Sequence, residues 1–232
     1  MKYLGPSGDL DHGPCLDVDL DDSVLTIVLN RPQQCNAINV EINLALGRLL
    51  AVLNRDDAVR VLVLRCNGPA FGVGLEPDGL SDVTSHAAQQ LRTLVQPVIA
   101  RVHGSCHGGA MRLIEACDIV IAADDADFNA TGQSFDAKEA QHQGLVTFSV
   151  PASELQAHTD TLARELAAKD ALALRFTKQT LQRVPNIPWD EVLAFTSAKQ
   201  AELKALQAGR PSARASAIAS FLAGKSKPGA GA

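Results

Sequence analysis

The sequence predicts an α/β fold with a helical C-terminal region. Three observations carry this. Short apolar runs alternate with amphipathic segments through the first part of the chain, which argues for a parallel sheet. Two of the strand-to-helix connections are rich in glycine. After Asp136 the periodicity is mostly helical. The chain has 232 residues, enough to bury a large core. Hydrophobic residues make up 46% and charged residues 20%, the range of an ordinary globular protein, and aromatics only 4%, so the core is aliphatic.

Residues 1–14 are polar, contain Gly and Pro, and form a loose lead. The stretches 15–19 and 24–30 run apolar or alternate, as a pair of hairpin strands does. From 40 to 54 the apolar residues Ile42, Leu44, Leu46, Leu49, Leu50 and Leu53 fit an amphipathic helix. A buried strand follows at 59–64. Residues 76–86 read as a loop with a short helix, and 85–94 as a helix that stops before Pro97, because the residue ahead of a proline avoids the helical region. A strand–helix–strand unit spans 98–102, 108–115 and 119–123. Helices are predicted at 136–143, 152–168, 171–183, 188–208 and 211–223, punctuated by Pro185, Pro188 and Pro211. The tail 225–232 is disordered by composition.

Composition excludes some functions. The net charge is -5 and no basic block occurs, which speaks against nucleic acid. No apolar run reaches membrane-spanning length, and the first residues lack the apolar core of a signal peptide. The five cysteines (15, 35, 66, 106 and 117) are odd in number and lack metal-ligand spacing, so free thiols in a reducing cytoplasm and no metal site are expected.

Two runs point to chemistry. His103-Gly104-Ser105-Cys106-His107-Gly108-Gly109-Ala110-Met111-Arg112 takes the strand at 98–102 through a glycine-rich turn into a helix. The first N–H groups of a helix have no internal partner and carry positive partial charge, and glycine lets a ligand oxygen approach them. Arg65-Cys66-Asn67-Gly68-Pro69-Ala70-Phe71-Gly72-Val73-Gly74-Leu75-Glu76 follows the strand at 59–64 in the same way. Together the turns suggest a two-donor oxyanion hole for a thioester carbonyl. Such turns also occur for packing alone, and spacing does not separate the two readings. Cys106 beside His107 is better read as a small buried residue than as a nucleophile, since neighbours on an extended segment point apart.

These runs, with Asn30-Arg31-Pro32-Gln33-Gln34-Cys35-Asn36-Ala37, Cys117-Asp118, Phe135-Asp136-Ala137-Lys138-Glu139-Ala140, Gly144-Leu145-Val146 and Ser212-Ala213-Arg214 through Phe221-Leu222, resemble the crotonase (enoyl-CoA hydratase/isomerase) superfamily. The resemblance covers nearly the whole chain beyond its lead. It implies a spiral of repeated ββα units with perpendicular sheets over 15–150 and a C-terminal helical region over 151–224. It implies an acyl-CoA or acyl-carrier thioester as substrate with no separate cofactor, and a homotrimer or hexamer. The family's backbone donors fall on Leu75 and Gly109, and its CoA-lining positions on Asn36, Ala37 and Ala70.

The family's acid/base machinery is not matched. Hydratases of this family carry two glutamates. One position is Arg112 here; the other lies in a block that is missing between Phe128 and Gly132, where Asn129, Ala130 and Thr131 offer no carboxylate. Arginine stays protonated and cannot shuttle protons. Replacement candidates are Glu76, Asp78, His107, His103 and Glu115. Against each stands a structural reading: a cap or ion pair for Glu76, a turn for Asp78, a hydrogen-bonded imidazole for His107, and a pair with Arg112 for Glu115. Asp118 reads as structural. Arg112 is alternatively a clamp for a substrate carboxylate, as a decarboxylase or an isomerase of dicarboxylic thioesters needs. Three functions stay open: a hydratase, isomerase or lyase with atypical acid/base groups; a thioester-binding or accessory subunit without catalysis; and a structural subunit.

Overall fold

Each glycine-rich turn carries the chain from one sheet to another, and this sets the architecture. The computed structural model describes residues 1–6, 8, 10–74, 81–130, 132–208, 218 and 222–224, with backbone alone at 81–85. In order come β1 (Leu16–Asp21), β2 (Val24–Leu29), α1 (Val40–Leu53), β3 (Val61–Cys66), β4 (Ala70–Val73), α2 (Ser81–Thr93), β5 (Val98–Val102), β6 (Ser105–His107) and α3 (Gly109–Glu115). Then follow β7 (Ile119–Ala123), β8 (Asp127–Ala130), β9 (Gln133–Asp136), α4 (Ala137–His142), β10 (Phe148–Val150), α5 (Leu155–Ala167), α6 (Ala171–Arg183) and α7 (Trp189–Leu206).

One sheet has the order β1-β2-β3-β5-β7-β10 and the other β4-β6-β8-β9. The units β3-β4-α2, β5-β6-α3 and β7-β8-α4 therefore each give one strand to each sheet and one helix, a ββα repeat. Pairing is parallel from β2 through β10 in the first sheet and from β4 through β8 in the second. Antiparallel pairs stand at β1–β2 and β8–β9. The central strands β3, β5 and β7 are nearly continuous apolar runs because both their faces are covered.

Helix α1 shows how the core is made. Asn39 caps it, accepting from the Ile42 N–H at 2.9 Å. Ile42, Ala45, Leu46, Leu49, Leu50 and Leu53 then bury one stripe at helical spacing. Each fully buried Leu or Ile adds about 1.5–3 kcal/mol. Leu44 does not belong to this face: it is 52% exposed, whereas Asn43 is buried. Two residues past Ile42, Leu44 lies about 200° around the helix from it.

The molecule departs from expectation in four more places. The lead is tied down: Tyr3 N–H bonds Val18 O at 3.0 Å, the Leu20 N–H bonds Met1 O at 2.9 Å, and Tyr3 and His12 are buried. Helix α2 begins at Ser81, four residues early. The strands β4 and β6 lie inside stretches read as turns, being only four and three residues long. Asn129 and Ala130, read without an element of their own, belong to a β-hairpin, with Asp127 opposite Asp136 and Ala130 opposite Gln133.

The chain forms two compact units, Met1–Leu166 and Ala167–Ala232. In the second unit Asp170 caps α6 by accepting from the Ala173 N–H at 2.7 Å, and α6 and α7 enclose a groove of about 270 Å3. The Lys199 ammonium lies 5.2 Å from the Phe176 ring centroid in that groove. Most of the predicted helix 211–223 and the whole tail 225–232 lie outside the described residues.

The α1 stripe yields a test. Leu49→Ala is expected to cost about 2–5 kcal/mol of stability through lost transfer energy and a cavity, and Leu44→Ala less than about 0.5 kcal/mol. Urea unfolding followed by circular dichroism measures both.

Candidate active site

The loop before α1 is built around Asn36, which is fully buried and left-handed (φ 51°). Its side-chain oxygen accepts from the Arg31 N–H at 2.8 Å, and its amide donates to Asn67 O and Ala70 O, both at 2.8 Å. One side chain thus ties the loop 31–37 to the β3–β4 connection. The loop then runs along β4: Val73 N–H bonds Cys35 O at 3.0 Å, and Ile38 N–H bonds Gly74 O at 3.3 Å. Asn36 turns its side chain inward and bonds Arg31 O with its own N–H at 3.0 Å, Ala37 is half-buried, and Ala70 is buried.

The two glycine-rich turns meet at this loop. The Gly74 N–H bonds His107 O at 3.0 Å, joining the end of β4 to the end of β6. A Cβ on Gly108 would lie 3.1 Å from Gly74 Cα, and one on Gly72 only 2.7 Å from Ala110 Cβ. Side chains at these two positions would push the turns apart, and Gly108 in addition has φ +54°. Gly109 is buried and is the first residue of α3, so its N–H has no acceptor within the helix, and Gly108 at the cap brings no side chain to it. Leu75, Glu76 and Asp78 lie outside the described residues; the described chain stops at Gly74, in contact with Gly108.

The polar candidates sort differently. His107 and Cys106 leave opposite faces of β6. The Cys106 thiol is fully buried, and burial pushes its pKa well up, which removes it as a nucleophile. On the other face, His107 Nε2 lies 2.5 Å from Asp127 Oδ2, and the Ser105 hydroxyl donates to Asp127 Oδ1 at 2.7 Å. This follows from register, since β8 places Asp127 beside Ser105 and Asn129 beside His107. Burial alone would raise the Asp127 carboxyl, but the Ser105 and His107 hydrogen bonds and the His107 charge outweigh it and hold it below the ordinary range. Both partners remain open to solvent, at 27% for His107 and 50% for Asp127.

His103 is taken up by structure: its Nε2 meets Gly68 O at 2.8 Å and its ring lies 3.7 Å from Cys66 Sγ, a thiol that burial pushes up to about 12. Asp118 is structural as well, accepting from the Val98 N–H at 2.8 Å. Arg112 and Glu115 are both exposed, and among the described residues no ion pair joins these two. The hairpin β8–β9 occupies the stretch from Asp127 to Asp136. Among the described residues no three His, Cys, Asp or Glu side chains converge as metal ligands, and no helix is long and apolar enough to cross a membrane.

Sequence reasoning missed Asp127, Ser105 and the clamp role of Asn36. The first two required β6 to be seen as a strand; the only trace is polar alternation in Ser105-Cys106-His107 and Asp127-Phe128-Asn129.

A two-sheet ββα repeat with facing glycine turns is a recognisable class. The family model for enoyl-CoA hydratase/isomerase matches residues 19–135, half of the chain, and the chain belongs to that family. It is 29% identical to the hydroxycinnamoyl-CoA hydratase-lyase of Pseudomonas fluorescens over 91% of this chain and 94% of that protein. It is 25% identical to the peroxisomal Delta(3,5)-Delta(2,4)-dienoyl-CoA isomerase of Arabidopsis thaliana, over 76% of this chain and 84% of that protein. An enoyl-CoA hydratase of Mycobacterium smegmatis shares the fold, with a TM-score of 0.81 at 24% identity, covering 91% of this chain and 97% of that one. The alignment with the Pseudomonas protein runs over 262 positions, more than the 232 residues here, so that relative carries stretches this chain lacks.

Two outcomes test the site. Asn36→Ala removes three hydrogen bonds, one buried and two partly buried, and is expected to cost about 2–4 kcal/mol in urea unfolding. Because the Asp127 pKa is depressed in the folded state, its stabilisation is present above the ordinary Asp range and is lost as pH falls through and below that range. Asp127→Asn should therefore flatten the acid limb of thermal stability between about pH 5 and 2; with the carboxylate half-exposed, the effect is small.

Proposed function

We propose that the chain binds an acyl-CoA (or acyl-carrier) thioester and holds its carbonyl oxygen between the backbone N–H groups of Leu75 and Gly109. The observation that supports this is the backbone contact of the two turns, Gly74 N–H to His107 O at 3.0 Å with Gly108 packed on Gly74. Fixed donors aimed at an oxygen that gains charge stabilise an enolate, making the α-proton acidic or the β-carbon electrophilic. Asn36, Ala37 and Ala70 line the CoA path with backbone, and no cofactor beyond the substrate's own CoA is required. The relatives' printed activities, a hydratase-lyase and a dienoyl isomerase on CoA thioesters, fit this reading. A homotrimer or hexamer in the cytoplasm completes it.

Proton transfer is assigned to groups other than the family's glutamates. His107 with Asp127 is the built acid/base candidate, and Glu76 and Asp78 follow Leu75 in sequence. Arg112 is the group to hold a carboxylate of a dicarboxylic thioester.

A second reading, thioester binding without turnover, draws support from Arg112 at a glutamate position and from the hairpin β8–β9. The test is a turnover screen against enoyl-, 3-hydroxyacyl- and dicarboxylic acyl-CoAs, with binding followed by calorimetry. Gly109→Pro deletes one donor at the first helical position, where proline is tolerated. It is expected to lower kcat by about 10²–10³-fold; full activity in that variant eliminates the proposal. Binding without turnover across the panel establishes the second reading.

A further inference from the structure

Ser105 and His107 stand two residues apart on β6 and so leave the same face of the strand. Register sets Asp127 beside Ser105 on β8, and Val73 and Asn129 on either side of His107. The Asp127 carboxylate then lies between two partners. Its Oδ1 accepts from the Ser105 hydroxyl at 2.7 Å, and its Oδ2 lies 2.5 Å from His107 Nε2. The serine bonds the carboxylate and not the imidazole. The three residues are therefore not a nucleophile triad, in which the imidazole stands between the other two.

The order of these bonds fixes where the imidazole proton sits. An ionised carboxylate only accepts, so Nε2 is the protonated nitrogen of the neutral ring and Nδ1 carries the lone pair. Among the described residues nothing bonds Nδ1: Asn129, the lateral neighbour, gives its amide to the Ser134 hydroxyl at 2.9 Å. The backbone of the same histidine belongs to the contact between the glycine turns. His107 O accepts from the Gly74 N–H at 3.0 Å, and Gly109 follows two residues later. Two residues span at most about 7 Å. The root of the imidazole and the Gly109 N–H thus lie within the length of one acyl group.

We infer that Asp127 and Ser105 are positioning residues that hold His107 in its Nε2–H tautomer, with Nδ1 as the atom that takes the α-proton of a bound thioester. The inference rests on the thioester reading above. In the step the α-C–H bond breaks, its electron pair passes into the enolate, and the proton bonds Nδ1. The imidazolium, steadied by Asp127, returns a proton to the same ligand, so no co-reactant is needed. Ser105 acts through Asp127: it holds the second carboxylate oxygen and so sets the rotamer from which the first meets the ring.

The test uses butyryl-CoA, which has α-protons and no double bond to hydrate. Exchange of its α-protons in D2O is followed by NMR and its binding by calorimetry, and 15N NMR reads the His107 tautomer in the free protein. Wild type is expected to bind, to exchange and to show the Nε2–H ring. His107→Gln lowers the exchange rate by about 10²–10⁴-fold. Asp127→Asn, whose amide can donate to Nε2, raises the Nδ1–H population and lowers exchange by about 10²-fold at unchanged Kd. Ser105→Ala lowers exchange by about 3–10-fold. Exchange at the wild-type rate in Asp127→Asn overturns the inference. So does an Nδ1–H ring in wild type, or a loss in Asp127→Asn that appears equally in Kd, as a merely structural pair would give. Should Asp127→Asn fail to fold, Ser105→Ala reads the same quantities. Wild type that binds butyryl-CoA without exchanging it overturns the inference and leaves the thioester site standing; wild type that does not bind overturns both.

Discussion

Backbone meets backbone where the chain leaves β4 and β6, and much of the molecule serves that meeting. A Cβ at Gly72 or Gly108 would sit at 2.7 or 3.1 Å from its neighbour across the contact. Such distances force one side to move. The ends of two strands in the small sheet are thereby brought together with α3, while the large sheet and the α1 stripe provide the rigid base. The loop 31–37 is pinned to the same place by Asn36, so three separate stretches of sequence share one small volume. Positioning on strands and helix ends, with few rotatable side chains involved, suits donors that must hold still while charge develops on a ligand.

The titratable groups beside these turns answer to a different constraint. Carboxylates that titrate near neutrality need burial or neighbours to shift them. The carboxylate bonded to His107, Asp127, is shifted the other way, held below the ordinary range by Ser105 and His107. An anionic Asp orients and steadies an imidazole and does not itself deliver a proton. The polarity of the arrangement therefore falls on His107.

Much of this was legible in the sequence, and the reason is physical. The long strands of the large sheet and the helices α1, α6 and α7 have enough residues for a period to show. The glycine turns were legible because close backbone approach permits few other residues. The short strands β4, β6, β8 and β9 were not: three or four residues cannot display a period, and their pairing is long-range. The clamp made by the Asn36 side chain was not legible either, since a buried amide and an exposed one look alike in sequence. The pairing of Asp127 with His107 depends on register across β6 and β8, which no local pattern encodes. Leu44 misled because apolar character alone does not say which side of a helix a residue occupies.

The hairpin from β8 to β9 has a consequence for how this chain varies over time. Its strands pair from Asp127–Asp136 to Ala130–Gln133 and feed directly into α4, whose cap is Asp136. β9 is the last strand of its sheet, so nothing beyond it depends on the hairpin tip for alignment. Residues gained or lost at the tip lengthen or shorten a protrusion without sliding β6 against β8 or uncapping α4. The tip is thus a natural seam, a place where loop length can change while the scaffold stays the same.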